Sequence, residues 1–304
     1  MLILVTGATG FVGKNLVQKL ISMGHDIHVL TRNTQKAKEI FPQNNVNVFE
    51  WKNNRELPPL SSINGINGVI NLMGENIAAK RWSDEQKIIL KESRVDSTIN
   101  LIKLIEQNIV LDLDFFISAS AIGIYPVNTG KILNEDSDHG SNYLAGLCQQ
   151  WEDATSGMTK IKRKVIIRTG VVLEKYGGAL KKMLLPFQLG LGGPIGDGNQ
   201  MMSWIELSDL VNLYVTAATD NQYSGIYNGV APTPVSNRTF TKALGRALHR
   251  PTLFPVPTFP LKLAFGEMAS VILDSQTVVS KRLQDTGFHF KYETVDKALN
   301  GIFQ

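Results

Sequence analysis

The sequence has one cysteine, Cys148, in 304 residues. A lone thiol excludes an internal disulfide framework and a zinc site built on cysteines. The histidines (His25, His28, His139, His249 and His289) form no HExxH pattern, so no metal centre is expected. No run of about 18 uninterrupted apolar residues marks a membrane span. The opening apolar run ends at Gly7, too soon for the apolar core of a signal peptide. Lys and Arg number 31 against 27 Asp and Glu, a net charge of only +4. The densest basic run (Lys160, Lys162, Arg163, Lys164) carries no interleaved aromatics, so neither nucleic acid nor a membrane is an expected partner. Internal repeats and low-complexity tracts are absent as well. These absences leave a small-molecule protein with a cytoplasmic or similarly reducing address.

What is present is a large apolar inventory. Hydrophobic residues make up 43% of the chain and charged residues 19%, enough for a sizeable core and too little charge for disorder. Short apolar runs alternate with helical periodicity through the first half. Strands are expected at 1–6, 26–32, 46–51, 68–73 and 113–118, with helices at 11–23, 34–41 and 83–107. A helix at 142–156 then precedes a strand at 164–169, and a helix at 206–219 precedes one at 225–228. This β-α-β-α order predicts an α/β fold with a doubly wound parallel sheet of the Rossmann type. The Pro232/Pro234 segment divides it into a dinucleotide-binding domain, 1–230, and a small C-terminal α/β lobe, 231–304, on the substrate side. Residues 170–204, with a Gly-rich loop at 190–198, are expected to reach into the substrate cleft. The tail is expected to mix helix and short strands over 238–248, 253–255, 259–271, 278–287, 288–292 and 294–303.

The strongest local signal is Val5-Thr6-Gly7-Ala8-Thr9-Gly10-Phe11-Val12-Gly13, which follows an apolar strand and opens a helix. Gly7 permits the tight turn, Gly10 lets backbone approach a pyrophosphate, and Gly13 lets helix and sheet pack closely. The helix mouth then offers unpaired N–H groups and a positive dipole end to phosphates. A P-loop is excluded, because Ala8 stands where its first glycine belongs and Asn15 where its hydroxyl belongs. The second strand ends Leu30-Thr31-Arg32, without the carboxylate that holds the ribose 2′-OH of NAD. Arg32 can instead meet a 2′-phosphate with a charge-assisted fork. The expected cofactor is therefore NADP(H) rather than NAD(H).

Further segments carry a family resemblance. They are Asn71-Leu72-Met73-Gly74-Glu75-Asn76-Ile77, Ser118-Ala119-Ser120-Ala121-Ile122-Gly123 and Arg168-Thr169-Gly170-Val171-Val172-Leu173. To these add Gly192 through Gln200 with Ser203-Trp204-Ile205, and the tail from Arg250-Pro251 through Val256-Pro257 to Gly287-Phe288. The whole chain resembles the atypical extended short-chain dehydrogenases/reductases. More narrowly, it resembles NAD(P)-dependent epimerase family proteins with a C-terminal domain of unknown function (DUF1731-type). The resemblance implies that Gly7, Thr9, Gly10, Phe11, Val12 and Gly13 line the pyrophosphate and that Thr31 and Arg32 meet the adenosine end. It places Leu72, Met73 and Gly74 beside the second ribose, and Thr169, Gly170 and Val171 near the nicotinamide. A homodimer through the helices around 85–107 and 142–156 is a family habit that it leaves open.

In that superfamily a Tyr and a Lys four residues later share one helix face, and the ammonium lowers the phenol pKa so that it can exchange a proton. Here Tyr143 holds the Tyr position and Ser120 the partner Ser position, but Leu147 stands where the Lys belongs. Tyr143 is thus either a weakened general acid or a residue that packs and positions. Ser120 is either a substrate contact or a local hydrogen-bonding group. Glu75, Asn76, Tyr125, Asp197 and Trp204 are candidate substrate contacts; turn chemistry competes at Asp197 and plain core packing at Trp204. Cys148 reads as buried packing. Two functions remain: an NADP(H)-dependent oxidoreductase or epimerase for a small carbonyl or sugar-type substrate, and a non-catalytic protein that senses NADPH through its C-terminal lobe.

Overall fold

A computed structural model describes residues 1–52, 55–109 and 112–304. The N-terminal half alternates β1 (Leu2–Thr6), α1 (Phe11–Ser22), β2 (Asp26–Thr31), α2 (Thr34–Ile40), β3 (Val46–Glu50) and β4 (Gly68–Asn71). Next come α3 (Asp84–Lys91), α4 (Ser97–Asn108), β5 (Phe115–Ala121), a short β6 (Ile132–Leu133), α5 (Tyr143–Asp153) and β7 (Lys164–Thr169). The chain continues through β8 (Val171–Leu173), α6 (Gly178–Gln188), β9 (Met201–Met202), β10 (Trp204–Glu206), α7 (Leu207–Thr219) and β11 (Gly225–Gly229). The C-terminal part holds β12 (Val235–Ser236), α8 (Asn237–Leu248), α9 (Thr258–Phe265), α10 (Ser270–Leu273), β13 (Thr277–Val278), α11 (Lys281–Asp285) and α12 (Val295–Phe303).

The central sheet has seven strands in the order β11-β7-β5-β4-β1-β2-β3, and every pairing within it is parallel. Side chains alternate along each strand. Ile3 and Val5 face a core built with Leu16, Val17 and Leu20 of α1 and Leu210 and Leu213 of α7. Leu4 faces the opposite core, with Leu101, Leu104 and Ile105 of α4. Both faces are therefore covered, as a parallel sheet requires. The chain winds outward from β1 to β3, then returns to place β4 on the other side of β1. That reversal opens a crevice at the carboxyl ends of β1 and β4. The strands are tied there by Thr6 Oγ1, which donates to Asn71 Oδ1 at 2.6 Å, while Asn71 Nδ2 donates to Thr98 at 2.9 Å.

A further core joins Leu173, Leu180, Leu184, Phe187 and Trp204 to Phe240, Leu244, Val295 and Leu299. The segment 171–204 thus packs with the C-terminal lobe.

Several local expectations need correction. The single helix expected at 83–107 is two helices joined by a π turn, Glu92–Asp96. Helix α6 was not foreseen, because Gly178 and the internal Pro186 mask its periodicity. Residues 253–255 form no strand; the one ladder contact nearby is the bridge Ile195–Val256. Residues 288–292 form no strand either, because the Lys291 and Tyr292 amides donate to the Asp209 carboxylate at 2.8 and 2.9 Å. The segment 259–271 is broken at Gly266, whose φ is +57°, and within 278–287 only α11 is helical.

Candidate functional site

The crevice holds a cleft of about 510 Å³. Gly7, Thr9, Gly10, Phe11, Val12 and Gly13 form one wall, Leu30, Thr31, Arg32 and Trp51 one end, and Leu72, Met73, Gly74, Glu75 and Asn76 the facing wall. Ser93 and Arg94 of the π turn, and Gly178 at the start of α6, complete the lining. Helix α1 has Gly10 as N-cap and no side-chain cap, whereas Asn33, Ser83, Asn142 and Ser236 cap α2, α3, α5 and α8. The first-turn amides of α1 are left for an acceptor from outside the chain.

The glycines are dictated by close contacts. Gly7 has φ +66°, and a Cβ there would lie 2.6 Å from the Leu72 carbonyl oxygen. A Cβ on Gly13 would sit 2.2 Å from the Gly7 carbonyl oxygen. The turn can therefore lie flat against β4 and α1 only without side chains. A dinucleotide pyrophosphate fits this concave rim of uncapped amides.

Arg32 projects into solvent, its side chain 79% exposed, with Nη2 3.9 Å from Glu75 Oε2 across the cleft. An exposed pair this long contributes at most about 1 kcal/mol. Its guanidinium is thus free to turn to a stronger partner at the β2 end.

Trp51, Ser93 and Arg94 were missed by sequence reasoning. Arg94 is half-buried beside Gly74; its Nη2 donates to the Glu75 carbonyl at 2.7 Å and its Nη1 to that of Leu90 at 3.2 Å. Its guanidinium lies 5.3 Å from the Trp151 ring. Burial lowers the Arg94 pKa, with the neighbouring Cys148, Tyr143 and Glu75 opposing that. A lone Arg on an apparently regular helix gives no sequence signal; only the π turn, a device frequent at functional sites, brings it to the cleft.

The other candidates are placed as follows. Thr169, which ends β7, and Gly170 and Val171, which lead into β8, are partly exposed and do not line the cleft. Tyr143 opens α5; its hydroxyl donates to the Lys87 carbonyl at 3.4 Å, at the weak limit. Burial raises its phenol pKa, while the charges of Lys87 and Arg94 pull it down. Lys87 Nζ lies 4.9 Å from the Tyr143 ring centroid but is engaged by Glu267 at 2.6 Å. Leu147 is buried with Trp82, Leu90, Val95 and Trp151, in a pocket that would strand an ammonium. Ser120 is almost wholly buried, and its hydroxyl donates to Glu152 Oε1 at 2.6 Å.

Two candidates lie inside the fold. Tyr125 is 0% exposed; it donates to Asn228 at 2.8 Å and accepts from Arg168 at 2.8 Å. It belongs to a buried polar network, not to the cleft surface. Trp204 is also 0% exposed, and its indole N–H donates to the Thr233 carbonyl at 3.0 Å. It is core, not a pocket wall. Asp197 is exposed, and its carboxylate caps its own turn through Asn199.

Comparison with known proteins places this geometry in a family. Residues 3–146 match the NAD dependent epimerase/dehydratase family, and residues 256–302 match a domain of unknown function, DUF1731. The chloroplastic epimerase family protein SDR39U1 homolog of Arabidopsis thaliana is 41% identical over 100% of this chain and 87% of its own. The chain belongs to the epimerase family. The crystal structure of human epimerase family protein SDR39U1 (isoform2) with NADPH superposes with a TM-score of 0.86 at 31% identity, covering 99% of each chain. A nucleoside-diphosphate sugar epimerase from Corynebacterium glutamicum gives a TM-score of 0.77 at 30% identity, over 100% of this chain and 58% of its own. Among the described residues, no helix is long and apolar enough to cross a membrane.

Proposed function

We propose that this protein binds NADP(H) in the β1–β4 crevice and acts as an oxidoreductase or epimerase on a small carbonyl or sugar-type substrate. The uncapped mouth of α1, inside a cleft whose far end carries Arg32, is the observation that supports this reading. The amides of Phe11, Val12 and Gly13 would hold the pyrophosphate. Arg32 would leave Glu75 for the 2′-phosphate. A charge-assisted hydrogen bond is worth about 1.5–3 kcal/mol, more than the exposed pair it replaces. The human relative's NADPH agrees with that choice. When bound, the nicotinamide supplies hydride exchange with a carbonyl or carbinol carbon. Tyr143 would move a proton at its phenol oxygen, since its bond to the Lys87 carbonyl is long enough to yield to a substrate oxygen. Glu75 and Asn76, at the carboxyl end of β4, would meet the polar groups of that substrate. The single buried thiol suits a reducing, cytoplasmic-type address.

A second reading, an NADPH sensor without turnover, is favoured by Leu147 and by the engagement of Ser120 with Glu152. The test follows NADPH absorbance against a panel of carbonyl compounds and nucleotide sugars. Turnover that falls at least a hundredfold in Tyr143→Phe supports the enzyme. NADPH binding with no turnover across the panel supports the sensor.

A further inference from the structure

Away from the dinucleotide cleft, a cavity of about 200 Å³ lies between the Gly-rich loop, at Pro194 and Gly196, and the C-terminal lobe, at Arg238, Thr241, Lys242, Thr252, Leu253 and Pro255. None of these residues lines the crevice at β1 and β4. We propose that this cavity is a second ligand site, for the phosphoryl group of a small anion, free or carried on a small molecule.

The lining has two cations and no carboxylate. Arg238 and Lys242 stand four residues apart on α8, so they share one face of the helix. Among the described residues neither has an ion-pair partner, whereas Arg246, one turn further on, is paired with Asp296. Arg238 keeps one bond, Nη2 to the Asp197 carbonyl at 2.5 Å, which aims the guanidinium along the Gly-rich loop and leaves its other donors unassigned. The Asp197 carboxylate accepts from the amide and side chain of Asn199 and, among the described residues, forms no ion pair with either cation.

The independent observation is Thr241. It is only 1% exposed, and its Oγ1 has no hydrogen-bond partner. Buried hydroxyls are satisfied in nearly all folded proteins, and each exception calls for a reason. Thr241 is among the residues that line the cavity and lies between the two cations along α8, so a phosphoryl oxygen seated against it would be the acceptor that the hydroxyl lacks. Thr252 lies across from it, packed against α8 at Gly245: a Cβ on Gly245 would come 2.5 Å from the Thr252 methyl. The size also selects. The cavity falls below the range of about 300–1,000 Å³ usual for sites that enclose a whole organic ligand, and it suits a compact tetrahedral anion with a short stem.

The test is a titration of the full chain with sodium phosphate and with glycerol 3-phosphate, at ionic strength held constant with chloride, read by calorimetry and by thermal shift. Saturable binding is expected, retained with NADPH present and unchanged in Arg32→Gln. Lys242→Gln and Thr241→Val should each weaken it at least tenfold. Thr241→Val should in addition melt no lower than the parent without ligand, because it removes an unpaired hydroxyl. Tighter binding of glycerol 3-phosphate would assign a carried phosphoryl group, and equal affinity a free anion. A response no larger than that to chloride, or binding that survives both lobe substitutions, overturns the proposal. Neither result bears on the dinucleotide cleft, which Arg32→Gln reports separately.

Discussion

Replacing Arg168 by methionine tests the buried network behind the candidate site. Arg168 and Glu152 are 2% and 9% exposed at their side chains and 2.8 Å apart. Arg168 Nε donates to Glu152 Oε1 at 2.9 Å, and its Nη1 donates to the Tyr125 hydroxyl at 2.8 Å. Burial works to lower the Arg168 pKa, but the hydrogen bonds and charge of Glu152 overcome it and hold the guanidinium above its ordinary value. Arg168→Met keeps the volume and strands a carboxylate whose remaining side-chain donor is Ser120. Breaking one side of such a pair costs about 3–5 kcal/mol. At roughly 2 °C per kcal/mol for a chain of this size, the melting temperature should fall by roughly 6–10 °C. Urea unfolding measures the free energy, and the double variant Glu152→Gln with Arg168→Met supplies the control. Removing both charges should recover most of the loss, since a buried pair contributes little net stability. A single-variant loss under about 1 kcal/mol, or a double variant as unstable as the single, would refute the reasoning.

Two further outcomes follow from the packing. Gly13→Ala forces a methyl to within 2.2 Å of the Gly7 carbonyl oxygen, so the turn must shift; the cost should be about 1–3 kcal/mol, with NADPH affinity down at least tenfold by calorimetry. Burial pushes the Cys148 thiol up from 9.0 to about 12, so native protein at pH 8 should be silent to a disulfide reagent and unfolded protein should release one equivalent. Because the folded value is the higher one, this contribution to stability is fully present below pH 9 and is lost as pH rises toward about 12. Melting temperatures should therefore decline above pH 9, less steeply in Cys148→Ala.

Much of the architecture was legible because the responsible forces are local. The apolar runs at β1, β2 and β4 can be buried only in a sheet covered on both faces. Gly7 and Gly13 are glycines because backbone oxygens occupy the space a Cβ needs, so the turn announces itself. The π turn was not legible: residues 83–107 keep a helical period, and the extra residue answers to the packing of Arg94 against Gly74 and Trp151. Tyr125 and Trp204 misled because a polar aromatic near a Gly-rich segment reads alike whether its polar atom meets a ligand, Asn228 or the Thr233 carbonyl. Leu147 was informative in both views, since the side chain that breaks the Tyr-Lys pattern also fills an apolar pocket. Arg238, Thr241 and Lys242 escaped notice because an i, i+4 basic pair is ordinary on a helix surface; only a buried hydroxyl without a partner distinguishes this one.

The dinucleotide cleft is tested most directly by calorimetric titration of the purified protein with NADPH and with NADH, beside Arg32→Gln. Saturable NADPH binding is expected, roughly ten- to a hundredfold tighter than NADH from the charge-assisted bond of Arg32, with that preference collapsing in the variant. Absence of saturable binding by either coenzyme would contradict it.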